Sequence, residues 1–235
     1  MLSAIVVAAG SSRRLGYDKL MAPLAGKCVL WHSLNVFGAM PEIERLIIVT
    51  RNERIEEMDA LAESAAALKK RVIVPGGEER YLSVWAGLQA LEGSVSDFVA
   101  IHDGARPLIT AAAIRACAEL ARRDGAACCA SPIPDTVKRA DSEGVVVESV
   151  ERSGLWAMQT PQVFSCDLIL QAYAAIIARN DMVTDEVSAV QKLGTRVALY
   201  RNEDWNFKIT YKRDLDMAEQ VLRLRSEGLG GGSPR

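Results

Sequence analysis

Several stretches of this chain carry more charge and polarity than a turn needs. The first is Ala8-Ala9-Gly10-Ser11-Ser12-Arg13-Arg14-Leu15-Gly16, followed by Lys19. Small residues at 8–12 let backbone amides approach a phosphate closely, and Arg14 and Lys19 add full positive charges. The run is neither a Gly-x-x-x-x-Gly-Lys-Ser/Thr loop nor a Gly-x-Gly-x-x-Gly fingerprint, which counts against a kinase and a nicotinamide dehydrogenase. A tight strand-to-helix turn with two solvated arginines accounts for it equally well. Further on come Gly76-Gly77-Glu78-Glu79-Arg80 with Ser83, and His102-Asp103-Gly104-Ala105-Arg106-Pro107. An aspartate closing an apolar run suits Mg²⁺, a hard ion that takes one or two carboxylates plus substrate phosphates. Taken alone, Asp103 is more simply a turn cap paired with Arg106, and His102 a structural residue. Thr184-Asp185-Glu186 reads as a helix N-cap, at Thr184, with acids in the first turn.

Elements that would position these residues follow from hydrophobic periodicity. Ile5–Ala9, Leu46–Thr50, Val72–Val74, Phe98–His102 and Ala126–Ser131 are nearly continuous apolar runs, as expected of strands covered on both faces. Val29–Ala39, Arg54–Leu68, Leu82–Leu91 and Ala111–Arg123 have the three- and four-residue spacing of amphipathic helices. This alternation predicts an α/β fold with a mainly parallel sheet and right-handed crossovers. Ligands in such sheets collect beyond the carboxyl ends of the strands, where the stretches at 8–19, 76–83 and 102–107 fall. After Pro134 the pattern changes. Val137–Arg139 and Val145–Val150 flank Asp141-Ser142-Glu143-Gly144 and predict a β-hairpin. Leu168–Ala178 and Glu186–Leu193 return to helix, Val197–Tyr200 and Phe207–Thr210 to strand, and Leu215–Leu224 to a last helix. One domain over residues 1–227 is expected, with an arm at about 136–158 and a frayed tail at 228–235.

The 235 residues are 49% hydrophobic and carry a formal charge of −2, enough to bury a two-sided core and giving no pull toward nucleic acid or an anionic membrane. The apolar start at Leu2–Ala9 is too short to cross a bilayer and lacks the basic flank of a signal peptide. Five cysteines, two of them adjacent at Cys128-Cys129, read as buried thiols in a reducing compartment, so the expectation is cytoplasmic. Their spacing fits no zinc site, and His32 and His102 are the only imidazoles. Trp31, Trp85 and Phe37 sit on apolar helical faces and belong to the core.

With these pieces in order, the chain resembles the 2-C-methyl-D-erythritol 4-phosphate cytidylyltransferases, from Ala4 to about Leu222. The resemblance rests on Ala8-Ala9-Gly10 with Arg13-Arg14 and Lys19; Gly76-Gly77 with Arg80 and Ser83; and His102 to Pro107. It continues through Asp135-Thr136-Val137-Lys138-Arg139, Arg152 with Gly154-Leu155-Trp156, Gln159-Thr160-Pro161-Gln162, Thr184-Asp185-Glu186 and Asn206-Phe207-Lys208-Ile209-Thr210. It implies a Rossmann-like α/β domain with helices on both faces, and a protruding β-hairpin arm that embraces a second subunit in a homodimer.

The resemblance also implies a reaction: CMP passes from CTP to the methylerythritol phosphate in isoprenoid precursor synthesis, with Mg²⁺ as cofactor. By the same implication Ala8, Ala9, Gly10, Gly77, Glu78 and Ser83 contact cytosine and ribose. Arg14 and Lys19 hold the triphosphate, Lys208 stabilises the reacting phosphorus, and Asp103 binds the metal. Arg106, Thr136, Arg152, Thr160 and Thr184 surround the acceptor. This sequence departs from the pattern at Glu78, where a shorter Asp is expected, at Asn202, commonly Gly, and at Trp205, where some members carry an acid; Asp204 is the nearest substitute. The alternatives are a cytidylyltransferase for another polyol phosphate such as ribitol 5-phosphate, and a non-catalytic nucleotide-binding protein. The Arg152–Gln162 stretch favours the methylerythritol enzyme over the first, and Arg14, Lys19, Asp103 and Lys208 together speak against the second.

Overall fold

A computed structural model describes residues 1–10, 17–67, 69–91 and 96–228. In chain order the elements are β1 (Leu2–Val7), β2 (Pro23–Leu24), β3 (Lys27–Cys28), α1 (Val29–Ala39), β4 (Ile43–Thr50), α2 (Ile55–Ala66), β5 (Lys70–Pro75), α3 (Arg80–Gln89) and β6 (Phe98–Asp103). They continue with α4 (Ala111–Asp124), β7 (Ala126–Pro132), β8 (Val137–Ala140), β9 (Val146–Val150), β10 (Trp156–Ser165), α5 (Cys166–Ala178), α6 (Glu186–Gln191), β11 (Ala198–Arg201) and α7 (Lys212–Ser226).

Seven strands form one sheet in the order β11-β7-β10-β6-β1-β4-β5. The pairings β1–β4, β4–β5, β1–β6 and β7–β11 are parallel, and β10 runs antiparallel between β6 and β7. Side chains alternate faces along a strand, and the core divides accordingly. Ala4, Val6, Leu46, Ile48, Ala100 and Val163 pack with Leu34 and Phe37 of α1, Met58 of α2 and Ile114 of α4. Ile5, Ile47, Val49, Ile101 and Phe164 pack with Val84 of α3, Ile169 and Tyr173 of α5 and Val190 of α6. Each large side chain buried in this way contributes about 1.5–3 kcal/mol relative to exposure, so strands covered on both faces anchor the carboxyl edge firmly.

That edge holds the topological switch: from β1 the chain moves to β4 and β5 on one side, then returns to β6 on the other. The mainly parallel sheet, the flanking helices and the hairpin β8–β9 match the expected architecture. Two strand assignments do not. Trp156–Ser165, the longest strand described, is not announced by the sequence, because Gln159, Thr160, Pro161 and Gln162 interrupt its apolar pattern; its register shifts between Met158 and Gln162. Phe207–Thr210, read as a strand, joins no sheet. Ile209 packs with Leu108 and Ala218 of α7, with Phe207 beside them, and the Ile209 amide donates to the Ala105 carbonyl at 2.8 Å. The segment is thereby laid across the edge of the sheet, which is what brings Lys208 to the end of β6. No helix among the described residues is long and apolar enough to cross a membrane. The expected tail lies, apart from Gly228, outside the described residues.

Candidate active site

Close approach of three loops shapes the site. The Gly76 amide donates to the Thr50 carbonyl and the Ala8 amide to the Val49 carbonyl, each at 2.7 Å, so the ends of β1, β4 and β5 stay level. A Cβ on Gly76 would lie 2.7 Å from both Ala9 Cβ and Ser83 Oγ, and one on Gly104 would lie 2.7 Å from Leu30 Cδ1. A side chain at Gly76 would collide with Ala9 and Ser83, whereas one at Gly104 would require Leu30 to turn away. Between them opens a cleft of about 200 Å³ lined by Val7, Ala9, Gly10, Lys19, Leu20, Gly77, Glu78, Glu79, Arg80, Ser83, Asp103, Ala105 and Lys208. The Ser83 hydroxyl turns back to the carbonyls of Gly77 and Glu79, both at 3.2 Å, fixing the loop between β5 and α3.

Asp103, the last residue of β6, is the electrostatic centre of the cleft. Its Oδ1 accepts from Arg80 Nε at 3.0 Å and its Oδ2 from Lys208 Nζ at 2.8 Å, with Arg106 Nε 3.8 Å from Oδ2. Burial alone would raise its pKa, but the charges of Arg80, Lys208 and Arg106 outweigh that and hold it well below the usual carboxylate range. Arg80 also grips Glu186, with Nη1 and Nη2 at 2.6 and 3.1 Å from the two carboxylate oxygens. Among the described residues no three His, Cys, Asp or Glu side chains gather into a metal cage. One ionised carboxylate facing a cleft is a donor set that fits Mg²⁺ carried on substrate phosphates, an ion that keeps most of its remaining ligands as water.

Ala9, Gly10, Lys19, Gly77, Glu78, Ser83, Asp103 and Lys208 thus line one cleft, and Ala8 lies buried directly behind it. Other residues singled out in the sequence sit elsewhere. Arg14 lies outside the described residues. Arg106 is turned inward, donating to the carbonyls of Asn206 at 2.8 Å and Met158 at 3.4 Å, so it ties the segment bearing Lys208 to β10. Thr160 is buried under the cleft floor: its hydroxyl oxygen accepts from the Asp103 amide and meets His102 Nδ1, both at 3.0 Å. His102 Nε2 lies 3.2 Å from the Arg106 carbonyl, which requires the proton on Nε2. Burial pushes this imidazole down to about 4, so it is a neutral structural link, as expected.

Thr136 is exposed at the foot of the hairpin, and the exposed Arg152 donates from Nη1 to the Pro134 carbonyl. Thr184 is exposed and hydrogen-bonds Ser188 Oγ at 3.2 Å, but the N-cap of α6 is Asp185, whose Oδ1 accepts from the Ser188 amide at 3.0 Å. Asp204 is exposed in an irregular turn, where Asn202 Oδ1 accepts from its amide at 3.3 Å. The exposed Trp205 meets Phe207 edge-on at 6.2 Å. Thr136, Arg152, Thr160, Thr184, Arg106 and Asp204 do not line the cleft. Arg80 and Glu186 both stand in the motifs quoted above, Glu186 as an acid in the first turn of α6, but nothing in those motifs joins the two. The available signal was an acid opening the otherwise apolar stretch Glu186-Val187-Ser188-Ala189-Val190.

The family model described as 2-C-methyl-D-erythritol 4-phosphate cytidylyltransferase matches residues 2–224. The chain belongs to that family. A cytidylyltransferase of this name from Halalkalibacterium halodurans is 40% identical over 222 residues, covering 94% of this chain and 96% of the relative. Another from Chromobacterium violaceum is 39% identical over 227 residues, covering 95% and 99%. Among solved structures, 4-diphosphocytidyl-2C-methyl-D-erythritol synthase from Anaerococcus prevotii superposes with a TM-score of 0.83 at 29% identity, covering 95% of this chain and 98% of the other. The Thermus thermophilus cytidylyltransferase gives 0.78 at 28% identity, covering 95% and 100%. The cytidylyltransferase family therefore occupies the whole cleft-bearing sheet, from β1 to α7.

Proposed function

We propose that the protein transfers the cytidylyl group of CTP to 2-C-methyl-D-erythritol 4-phosphate and releases pyrophosphate. The observation that carries this reading is the pairing of Arg80 and Lys208 with the ionised Asp103, in one cleft with Lys19 and the small residues Ala9 and Gly10, in a member of this family. A phosphate-monoester oxygen attacks the α-phosphorus and the P–O bond to pyrophosphate breaks. With a second pKa near ~6 the acceptor phosphate is already mostly a dianion at neutral pH, so no base need generate the nucleophile. The neutral, buried His102 accords with that economy.

The remaining problem is repulsion between a dianion and a triphosphate, and it is met by positioning and by fixed positive charge. In this reading Lys19, with Arg14, holds the triphosphate and Lys208 stabilises charge at the reacting phosphorus. Asp103 would hold Mg²⁺, which supplies further neutralisation of the phosphates when bound. Ser83, Glu78 and the backbone of Ala8, Ala9, Gly10 and Gly77 would receive cytosine and ribose. Thr136 and Arg152, acceptor residues in this reading, flank the hairpin at its base, which supports a homodimer in which the hairpin of one subunit reaches the cleft of the other. Cysteines present as free thiols suit a cytoplasmic location.

Pyrophosphate release from CTP and Mg²⁺ with each acceptor in turn tests the reading. Turnover is expected with 2-C-methyl-D-erythritol 4-phosphate and only background without an acceptor. Faster turnover with ribitol 5-phosphate would overturn the acceptor assignment, and no turnover with either would overturn the reaction.

A further inference from the structure

Among the described residues Glu186 is the most deeply buried acid, with no exposed surface, and it has no part in the transfer itself. It sits at the start of α6, whose first turn is clamped to β10: Gln162 Oε1 accepts from the Val187 amide at 3.0 Å, and Gln162 Nε2 donates to Asp185 Oδ2 at 3.1 Å. Tyr173 of α5, itself fully buried, donates its hydroxyl to Glu186 Oε1 at 3.1 Å. The Tyr173 ring stacks on Trp85 of α3 with centroids 6.3 Å apart and planes 8° from parallel. Frame and lever are therefore joined, because α3 is the helix that begins with Arg80.

All three guanidinium nitrogens of Arg80 are committed, Nε to Asp103 and Nη1 and Nη2 to Glu186. A fork held at both ends cannot swing. Without Glu186, the cleft floor would set Arg80, Arg106 and Lys208 against Asp103 alone, and a triphosphate would compete for the loosened arginine. We propose that Glu186 is a positioning residue for the transfer: acting through Arg80, it keeps that guanidinium on Asp103 and prevents it from turning onto the bound nucleotide. This rests on the cytidylyl-transfer reading and adds to it a relay running from the core to the cleft, Tyr173–Glu186–Arg80–Asp103–Lys208, whose charges alternate from Glu186 onward.

Steady-state pyrophosphate release by the full chain tests it, with Glu186→Gln, Arg80→Ala, the double variant and Tyr173→Phe. Glu186→Gln is expected to lower kcat about 10–100-fold, the usual cost of losing a buried partner behind a site, with the CTP KM unchanged or lower. In the Arg80→Ala background the same substitution should add little further loss, because its effect travels through the missing arginine. Tyr173→Phe should lower kcat about 3-fold, in keeping with one lost hydrogen bond. Wild-type kcat in a folded Glu186→Gln protein, or losses that multiply in the double variant, would overturn the proposal. If Glu186→Gln does not fold, an unchanged kcat in Tyr173→Phe overturns it instead. Wild-type enzyme that turns over a different phosphate acceptor defeats only the substrate reading, and the same coupling is then measured with that acceptor.

Discussion

Asp103 is held by three cations at once, and that makes its substitution different in kind from substitution of the cations themselves. Lys19→Ala and Lys208→Ala each remove a preorganised charge and are expected to lower kcat by about 10²-fold or more. Both side chains are partly solvent-exposed, so melting temperature should move little. Asp103→Asn instead takes the counter-ion from the largely buried Arg106 as well as from Lys208, and a loss of about 1–3 kcal/mol of stability should accompany the loss of activity. Chemical denaturation separates the cases, and an Asp103→Asn protein as stable as the wild type would contradict this account of the floor. One residue earlier, His102 is fully buried and its pKa is lowered from 6.5 to about 4 by burial. Between those values the unfolded chain binds the proton and the folded one does not. The stability due to neutral His102 is therefore complete above 6.5 and is lost as the pH falls toward 4. Denaturation in metal-free buffer at pH 7.5 and pH 5 should show a loss of about 2 kcal/mol from this residue. His102→Asn should flatten that slope, and an unchanged slope would mean that another group carries it.

Among the described elements, the hairpin β8–β9 is the least supported by the rest of the chain. Lys138 Nζ donates to Ser149 Oγ at 2.5 Å and Arg139 Nε to Glu148 Oε2 at 2.8 Å, yet Val145, Val146 and Val147 are 58–59% exposed. A two-stranded ribbon is marginal in water unless something covers it. Replacing residues 140–149 with Gly-Ser is expected to turn a dimer into a monomer by light scattering; a wild type already monomeric at micromolar concentration would contradict the proposed assembly. The hairpin was legible because Asp141-Ser142-Glu143-Gly144 is a turn between β-branched runs, and α1 was legible to the residue because its apolar spacing is uninterrupted. β10 was not: its polar centre serves the floor of the site, where Gln162 fastens α6 and Thr160 carries Asp103, and function there overrides strand periodicity. Phe207–Thr210 failed for the converse reason. Its pattern is that of a strand, but its apolar residues are spent against Leu108 and α7.

At the scale of the molecule, composition and alternation led to a two-faced parallel sheet, and motif order led to the family and to most of the cleft lining. What they could not supply was distance between residues remote in the chain. Arg106 and Thr160, acceptor contacts by resemblance, also tie the floor of the site together, and Glu186, legible as an acid in the first turn of a helix, is a buried partner of Arg80. That remoteness has a consequence for the order in which the protein comes into being. Arg80 is separated from Asp103 by 23 positions, but from Glu186 by 106, and Asp103 is separated from Lys208 by 105. Closing loops of that length is slow compared with local pairing. A nascent chain that has just exposed β6 can already pair β1, β4, β5 and β6, yet it holds Asp103 without Lys208 and Arg80 without Glu186. The ion-paired floor is completed only when Lys208, in the last fifth of the chain, arrives, so a ribosome-bound fragment would present much of the sheet with no competent active site.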